Sequence, residues 1–229
     1  MHALDNVIWK ALTTSQAQFS ESARLARKFP AEVTSLGALL EPTREGYDSL
    51  AGLLTPGAAA GLFLEAVPQV PEGWTLAATV PLLQMVHADA KPSPSTAAGN
   101  GWIELNEGDV PEMVALAELT KPGPFGRRTR ELGTYLGIRR SGTLVAMAGE
   151  RLRLPGYTEV SAVCTHPDHV GRGYAATLIT ELVERIRNRG EVPFLHVREN
   201  NVRAIGLYEH LGFRKRTLLH LAVVRKSTQ

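Results

Sequence analysis

The sequence predicts an α/β (α+β) protein, in which strands and helices alternate along most of the chain. Residues 158–165 are rich in β-branched side chains, and a glycine-containing turn and an amphipathic helix over 174–189 follow them. Residues 133–139 and 142–149 flank Arg140 and Ser141 and predict a β-hairpin. The chain is 44% apolar and 21% charged, which is typical of a folded protein rather than a disordered one.

Residues 1–90 predict a smaller α/β region without a chemical motif. The spacing of Ile8, Leu12 and Phe19 predicts one long helix, and an apolar face predicts a second helix over 46–54. Strands are predicted over 33–40, 60–65 and 74–86. Residues 91–101 are rich in Pro, Ser, Ala and Gly, which predicts a linker or surface loop.

The elements from residue 102 onward follow from clearer patterns. Asp109 precedes an apolar periodicity and predicts a capped helix, and residues 120–128 form a proline-containing loop. The remaining predicted elements are strands over 102–105, 194–198 and within 216–224, and a helix over 202–211.

Charge and composition exclude several classes of protein. The 229 residues carry a net charge of +2, which divides into −3 for residues 1–100 and +5 for residues 101–229. This excess is too diffuse to predict nucleic-acid binding, and no apolar stretch approaches the roughly 20 residues that cross a membrane. Asp5 and Lys10 lie where a signal peptide would be apolar. Cys164 is the single cysteine, so we expect a cytoplasmic protein without a disulfide.

The turn before the helix at residue 174 has the composition of a phosphate-binding loop. Gly171 and Gly173 lie at the start of that helix, where free backbone N–H groups and the helix dipole favour an anion. A P-loop is excluded because no G-K-[ST] follows. The dinucleotide pattern G-x-G-x-x-A matches as far as Ala176, but only 53 residues follow, too few for the remaining strands of a Rossmann oxidoreductase.

A second block of sequence, residues 201–213, also has a consistent physical interpretation. Asn201 can cap a helix, Ala204, Leu207 and Tyr208 share one face of it, and Gly212 ends it.

Together the two blocks resemble the GNAT superfamily of acyl-CoA-dependent N-acyltransferases. Gly173, Tyr174 and Ala175 fill the last three places of the family's Q/R-x-x-G-x-G/A loop, although Val170 stands at the Gln or Arg place. Residues 201–213 resemble the family's N-x-x-A-x-x-L-Y-x-x-x-G-F. The resemblance implies a GNAT domain over 102–229, with a mixed, mostly antiparallel sheet flanked by helices. Residues 1–90 could then be a degenerate GNAT-like half.

The resemblance implies an N-acetyltransferase that uses acetyl-CoA as co-substrate and needs no metal. The acceptor is a primary amine on a small molecule or a peptide, and the protein is a monomer or homodimer. A non-catalytic acyl-CoA sensor with the same fold is the alternative. The cofactor-binding residues implied by the resemblance are Val163, Cys164, Thr165, Gly171, Arg172, Gly173, Tyr174, Ala175, Ala176 and Asn201.

The catalytic residues are predicted in the same way. Tyr208 stands at the family's general-acid position and would protonate the leaving thiolate. The base that deprotonates the amine is open: Glu159 resembles the glutamate of histone-type members, and His196 lies where N-terminal acetylating members carry a glutamate. Solvent or another residue is the third possibility.

Overall fold

A computed structural model describes residues 2–88 and 101–227 of the chain. The predicted linker, residues 91–101, lies outside the described residues except for Gly101. Residues 2–88 are called the N-terminal part and residues 101–227 the C-terminal part.

The N-terminal part contains two helices and five strands. These are α1 (Val7–Thr13), β1 (Glu21–Ser22), β2 (Ala26–Lys28), β3 (Leu36–Leu39), α2 (Arg44–Ala51), β4 (Ala59–Leu64) and β5 (Trp74–His87). The second helix and the two later strands are where the sequence predicts them. The strand predicted over 33–40 is shorter, and it is limited to β3.

The prediction of one long helix that includes Phe19 is wrong. Helix α1 ends at Thr13, and Phe19 lies in a separate 3₁₀ turn, Ala17–Phe19. The hydroxyl groups of Thr13 and Thr14 donate hydrogen bonds to the carbonyls of Trp9 and Lys10, 2.8 and 2.5 Å away. Side chains of this kind compete with the backbone for hydrogen bonds, which makes consecutive Thr residues poor helix formers.

The C-terminal part contains three helices and six strands. They are β6 (Ile103–Glu104), α3 (Val110–Thr120), β7 (Tyr135–Arg140), β8 (Thr143–Leu154), β9 (Tyr157–Thr165), α4 (Tyr174–Asn188), β10 (Val192–Arg198), α5 (Val202–His210) and β11 (Phe213–Lys226). The predicted hairpin is present as β7 and β8. Its turn lies one residue later than expected, at Ser141 and Gly142, which both have positive φ (49° and 83°) as a type I′ turn requires.

The strands form a single sheet of eleven strands in the order β1-β2-β3-β4-β11-β5-β10-β9-β8-β7-β6. The pairs β9–β10 and β3–β4 are parallel, and the other pairs are antiparallel. The predicted fold class, a mixed and mostly antiparallel sheet with flanking helices, is therefore confirmed.

Strand β5 belongs to the N-terminal part but lies inside the sheet of the C-terminal part. It pairs antiparallel with β10 on one side and with β11 on the other. The division into residues 1–90 and 102–229 stays a prediction, but the sheet is continuous across it. Strands from both sides of the predicted linker thus share one hydrogen-bonded framework.

Successive residues of β10 point to opposite faces of the sheet and enter different cores. Leu195 packs with Leu182 and Ile186 of α4, whereas Phe194 packs on the other face with Ile8 of α1 and neighbouring strands. The sheet therefore separates a helical layer containing α4 from a layer formed mainly by the N-terminal part.

The parallel strands β9 and β10 separate after a short paired segment. Pairing is limited to residues 157–159 of β9 and 192–194 of β10. Beyond it, β9 contains an irregularity at Ala162, whose φ is +52°, and its register against β8 shifts there. The opening between these strands positions the candidate site.

Candidate active site

A cavity of about 570 Å³ lies at the opening between β9 and β10 and beside the start of α4. We call it the glycine-loop cavity. All ten residues predicted to bind the cofactor line it. Its other lining residues are Thr120, His169, Val170, Arg203, Ala204, Leu207 and Tyr208.

The glycine loop presents backbone groups to this cavity. Gly171 and Gly173 have φ of 84° and 78°, in the left-handed region that glycine adopts most easily. Helix α4 begins directly after Gly173, and no side chain caps it. The first N–H groups of a helix have no partner within the helix, so those of α4 can bind an anion in the cavity.

The second wall of the glycine-loop cavity is the part of β9 that extends beyond its pairing with β10. It contains Val163, Cys164 and Thr165. Burial raises the pKa of the Cys164 thiol to about 11, so the thiol is protonated at neutral pH. Cys164 is thus suited to packing and main-chain contacts rather than to nucleophilic attack.

A second cavity of about 430 Å³, here called the inner cavity, meets the glycine-loop cavity. The two share Thr120, Val163, Asn201 and Tyr208 as lining residues. The N-terminal part supplies Leu36, Phe63, Val80 and Leu82 to the inner cavity, and the 120–124 loop supplies much of the rest. The four apolar residues were missed by sequence analysis, because side chains of this kind occur in any buried strand.

Tyr208 lies where the two cavities meet. Its side chain comes from α5 and is 8% exposed. Burial raises the pKa of its phenol to about 12, so the group is fully protonated near neutral pH. Asn201, which also lines both cavities, caps α5 by accepting a hydrogen bond from the N–H of Ala204 at 3.2 Å.

Glu159 is completely buried and ion-paired. Its two carboxylate oxygens accept hydrogen bonds from the Arg151 guanidinium at 2.6 and 2.9 Å, and one of them also contacts Nδ1 of His196 at 2.7 Å. Burial by itself would raise the pKa of Glu159, but Arg151 and then His196 outweigh it and lower the pKa to about 2. Glu159 lines neither of the two cavities, whereas Arg151 and His196 line the inner one.

Hydrogen bonds fix the tautomer of His196. Arg216 donates to Oε1 of Gln84 at 2.7 Å, so the amide nitrogen of Gln84 points to the carbonyl of Leu4 and to Nε2 of His196, at 3.2 and 3.0 Å. Nε2 therefore accepts a hydrogen bond, and Nδ1 carries the proton that it donates to Glu159.

Sequence analysis missed both Gln84 and Arg151, although each has a sequence signal. Gln84 is the polar residue in residues 80–86 of the predicted strand, which are otherwise apolar, and buried polar groups need partners. Arg151 lies before the Pro155-Gly156 turn, which brings it close to Glu159 across a hairpin.

The described residues show no arrangement for binding a metal ion or for a helix that crosses a membrane. Among residues 2–88 and 101–227, no group of three His, Cys, Asp or Glu side chains is arranged to hold a metal ion. No helix in the same ranges is long and apolar enough to cross a membrane.

The fold is that of a mixed sheet with a glycine loop, suited to binding phosphate, at the opening between β9 and β10. Comparisons with known proteins identify the family. The profile of the FR47-like protein family matches residues 135–221. A crystal structure from Novosphingobium aromaticivorans, assigned to the acetyltransferases of the GNAT family, is 37% identical and covers 100% of both chains, with a TM-score of 0.92. The chain belongs to the GNAT family, and the resemblance stated from the sequence is confirmed.

A more distant structure supports the fold alone. The GCN5-related N-acetyltransferase of Kribbella flavida is 18% identical, with a TM-score of 0.59 over 93% of this chain and 95% of its own.

Two curated proteins match the chain over shorter segments. The N-alpha-acetyltransferase RimI of Mycobacterium tuberculosis is 39% identical over 101 residues, which is 41% of this chain and 63% of that protein. An uncharacterised protein of Mycobacterium leprae is 34% identical over 103 residues, 28% of its length. The chain thus spans less than two thirds of each curated relative.

Proposed function

We propose that the protein transfers an acetyl group from acetyl-CoA to a primary amine by direct attack in a ternary complex. The observation that carries this proposal is the junction at Tyr208 of two cavities, one beside the glycine loop and one beside His196. An acyl donor and an acceptor bound in these cavities would meet at a buried, protonated phenol.

The glycine-loop cavity has the groups that acetyl-CoA needs. Residues 171–176 line the cavity, where their backbone N–H groups would bind a pyrophosphate, and the cations of Arg172 and Arg203 would add positive charge. The main chain of residues 163–165, free of pairing with β10, offers a strand edge to the pantetheine arm.

The acceptor class is supported by the relative from Mycobacterium tuberculosis, whose name describes acetylation of an α-amine. The inner cavity is the place for such an amine, since it opens onto Tyr208 and Asn201. A bond forms between the amine nitrogen and the acetyl carbon, and the bond from that carbon to the CoA sulfur breaks. The amine loses a proton to a base, and the departing thiolate takes the proton of the Tyr208 hydroxyl.

We assign the two sequence-derived base candidates different roles. With its pKa lowered to about 2 and both oxygens bonded, Glu159 is too weak a base to take a proton from an amine. Its position suits it to holding the His196 ring. His196 lines the inner cavity and its Nε2 is a hydrogen-bond acceptor, so it is the candidate base.

The overall reaction is tested with purified protein, saturating acetyl-CoA and a panel of amines that includes small molecules and short peptides. We expect acetyl-CoA to raise the melting temperature and at least one amine to release free CoA thiol. Binding without release for any amine would favour the acyl-CoA sensor instead. Absence of binding would contradict both.

The role of His196 is tested by a pH profile of kcat/KM for the best amine. In His196→Gln we expect a lower kcat and loss of the inflection assigned to the base, because no imidazole remains to accept the proton. An unchanged profile would assign deprotonation to solvent.

We also propose that the protein is located in the cytoplasm and is a monomer or a homodimer, as predicted from the sequence.

A further inference from the structure

The charged groups around the inner cavity are of one sign. Lys121, Arg151 and Arg198 line it together with His196, and none of the described lining residues is Asp or Glu. A cavity with several cations and no carboxylate of its own favours an anionic ligand.

The three cations differ in whether their charge is compensated. Arg151 is buried and both oxygens of Glu159 neutralise it. Within the part of the chain that the structure describes, neither Lys121 nor Arg198 has a hydrogen-bond or ion-pair partner for its side chain. Two positive charges are therefore free to bind a ligand.

Strand geometry places Arg198 beside the candidate base. It lies two residues after His196 in β10, so both residues are on the same face of the sheet. Its pairing partner in β5 is Leu82, which is itself a lining residue of the inner cavity. An anion bound to Arg198 would thus lie next to His196, the group proposed to take the proton of the amine.

Lys121 comes from a different element, the end of α3, and also lines the inner cavity. It ends α3 in the left-handed conformation, with φ of 52°, directly before Pro122. A left-handed residue commonly follows the last turn of a helix and redirects the chain. The conformation starts the 120–124 loop along the cavity wall.

The rest of the cavity is apolar and small. Leu36, Phe63, Val80 and Leu221 form walls that suit a hydrocarbon side chain. The volume of about 430 Å³ is within the range of small-molecule sites.

We propose that the acceptor is a free amino acid, or a molecule like one, that carries a carboxylate beside its amine and an apolar side chain. The inference rests on the proposed acetyl transfer and names its substrate class. A peptide N-terminus fits less well, because its first carbonyl is an amide and offers no charge to Lys121 and Arg198.

The test uses matched pairs that differ only in the carboxylate: leucine with leucinamide, phenylalanine with phenylalaninamide, and glycine with glycinamide. A tripeptide that begins with leucine is the fourth probe. Thiol release is measured at saturating acetyl-CoA with the full chain. A carboxylate raises the pKa of the neighbouring amine and so lowers the fraction of free amine at neutral pH. The kcat/KM values are therefore compared for the free-amine form of each probe.

We expect kcat/KM, expressed for the free-amine form of each probe, to be about 10-fold higher for the acid than for the amide of the best pair, as one charge-assisted hydrogen bond supplies. In Lys121→Gln/Arg198→Gln this preference should disappear, mainly through KM of the acid, while KM of acetyl-CoA is unchanged. Arg225→Gln removes an exposed strand arginine away from the cavity and should keep the preference.

The outcomes separate this inference from the proposed function. Equal kcat/KM of acids and amides, or of acids and the tripeptide, for the free-amine forms would overturn the carboxylate class and leave acetyl transfer intact. A preference for acids that survives in the double variant would also overturn the assignment to Lys121 and Arg198. If acetyl-CoA binds but no probe or other amine releases thiol, the proposed function itself fails.

Discussion

The two cavities differ in how they are built. Apart from Thr120, the glycine-loop cavity is formed by residues within 163–208 of the C-terminal part, namely the end of β9, the turn and start of α4, and α5. The inner cavity combines residues from β3, β4 and β5 of the N-terminal part with residues from α3, β10 and β11. The proposed donor site is thus mostly local in the sequence, whereas the proposed acceptor site depends on contacts between distant segments.

This difference indicates that the two cavities depend on different parts of the chain. The glycine loop depends on local backbone conformation, so substitutions in the apolar walls of the inner cavity can change that cavity without altering the loop. The N-terminal part also contacts the segment that follows the 120–124 loop, since the carbonyl of Val33 accepts a hydrogen bond from the Thr129 hydroxyl at 2.5 Å and that of Glu32 accepts one from the N–H of Arg128 at 3.0 Å.

The largest expected effect concerns the buried pair that supports both the inner cavity and His196. Glu159→Gln should reduce the free energy of unfolding by about 3–5 kcal/mol at pH 7, because it leaves Arg151 buried without a counter-ion. Glu159 has a folded pKa of about 2 against an ordinary value of 4.5, so its contribution is complete above pH 4.5 and is lost as the pH falls through about 2.

Urea unfolding of both proteins between pH 7 and pH 3 measures this effect. The difference in the free energy of unfolding between the wild type and Glu159→Gln should become smaller below pH 4.5. Glu131→Gln removes an exposed partner of Arg128 and should cost at most about 0.5 kcal/mol. Similar losses in the two variants, or a difference that stays constant with pH, would contradict the buried ion pair as the cause.

The next effect is expected where the two cavities meet. Tyr208→Phe should lower kcat about 100-fold, the range of a lost general acid, and should change KM of acetyl-CoA little. The melting temperature should stay close to that of the wild type, since within the described residues the hydroxyl has no hydrogen-bond partner. Steady-state thiol release and thermal unfolding measure the two quantities.

Tyr157→Phe is the control for this substitution, because Tyr157 lies at the start of β9 and lines neither cavity. It should retain full activity. A kcat in Tyr208→Phe equal to that of Tyr157→Phe would exclude Tyr208 as the acid and would place thiolate protonation in solvent.

The sequence predicted the elements around the glycine-loop cavity because each of their features follows a local rule. Gly173 marks a left-handed residue before a helix, Asn201 caps α5, and the periodicity of residues 174–189 gives the extent of α4 to within one residue. None of these features depends on a distant part of the chain.

There is a physical reason why the lining of the inner cavity could not be predicted from the sequence. Which strand β5 pairs with depends on long-range contacts, and its own residues 74–87 are compatible with many neighbours. Glu159 was a reasonable candidate for the base from its strand position, but its pKa depends on Arg151, and only the three-dimensional pairing of β8 with β9 shows that contact.

A smaller effect is expected from a substitution in the glycine loop. Gly173→Ala should raise KM of acetyl-CoA about 10-fold, because a left-handed L-residue costs about 1–2 kcal/mol and the loop would shift to avoid it. The kcat at saturation should change little. Gly57→Ala is a matched control, with the same φ of 78° and nothing within 4 Å of the added Cβ, in a turn away from both cavities. Equal effects on KM would show that strain, rather than loop geometry, is being measured.

The smallest effect tests whether the N-terminal part contributes to the choice of acceptor. Val80→Ala removes half-buried apolar surface from the wall of the inner cavity and should lower kcat/KM for the acceptor about threefold, with KM of acetyl-CoA unchanged. Val86→Ala is the matched control, since Val86 lies on the same face of β5, is also half-buried and does not line the cavity. If both variants have wild-type kcat/KM across the amine panel, the N-terminal part supports the sheet without selecting the acceptor. If only Val80→Ala changes the order of preferred amines, β5 acts both as a strand of the acyltransferase sheet and as part of its acceptor site.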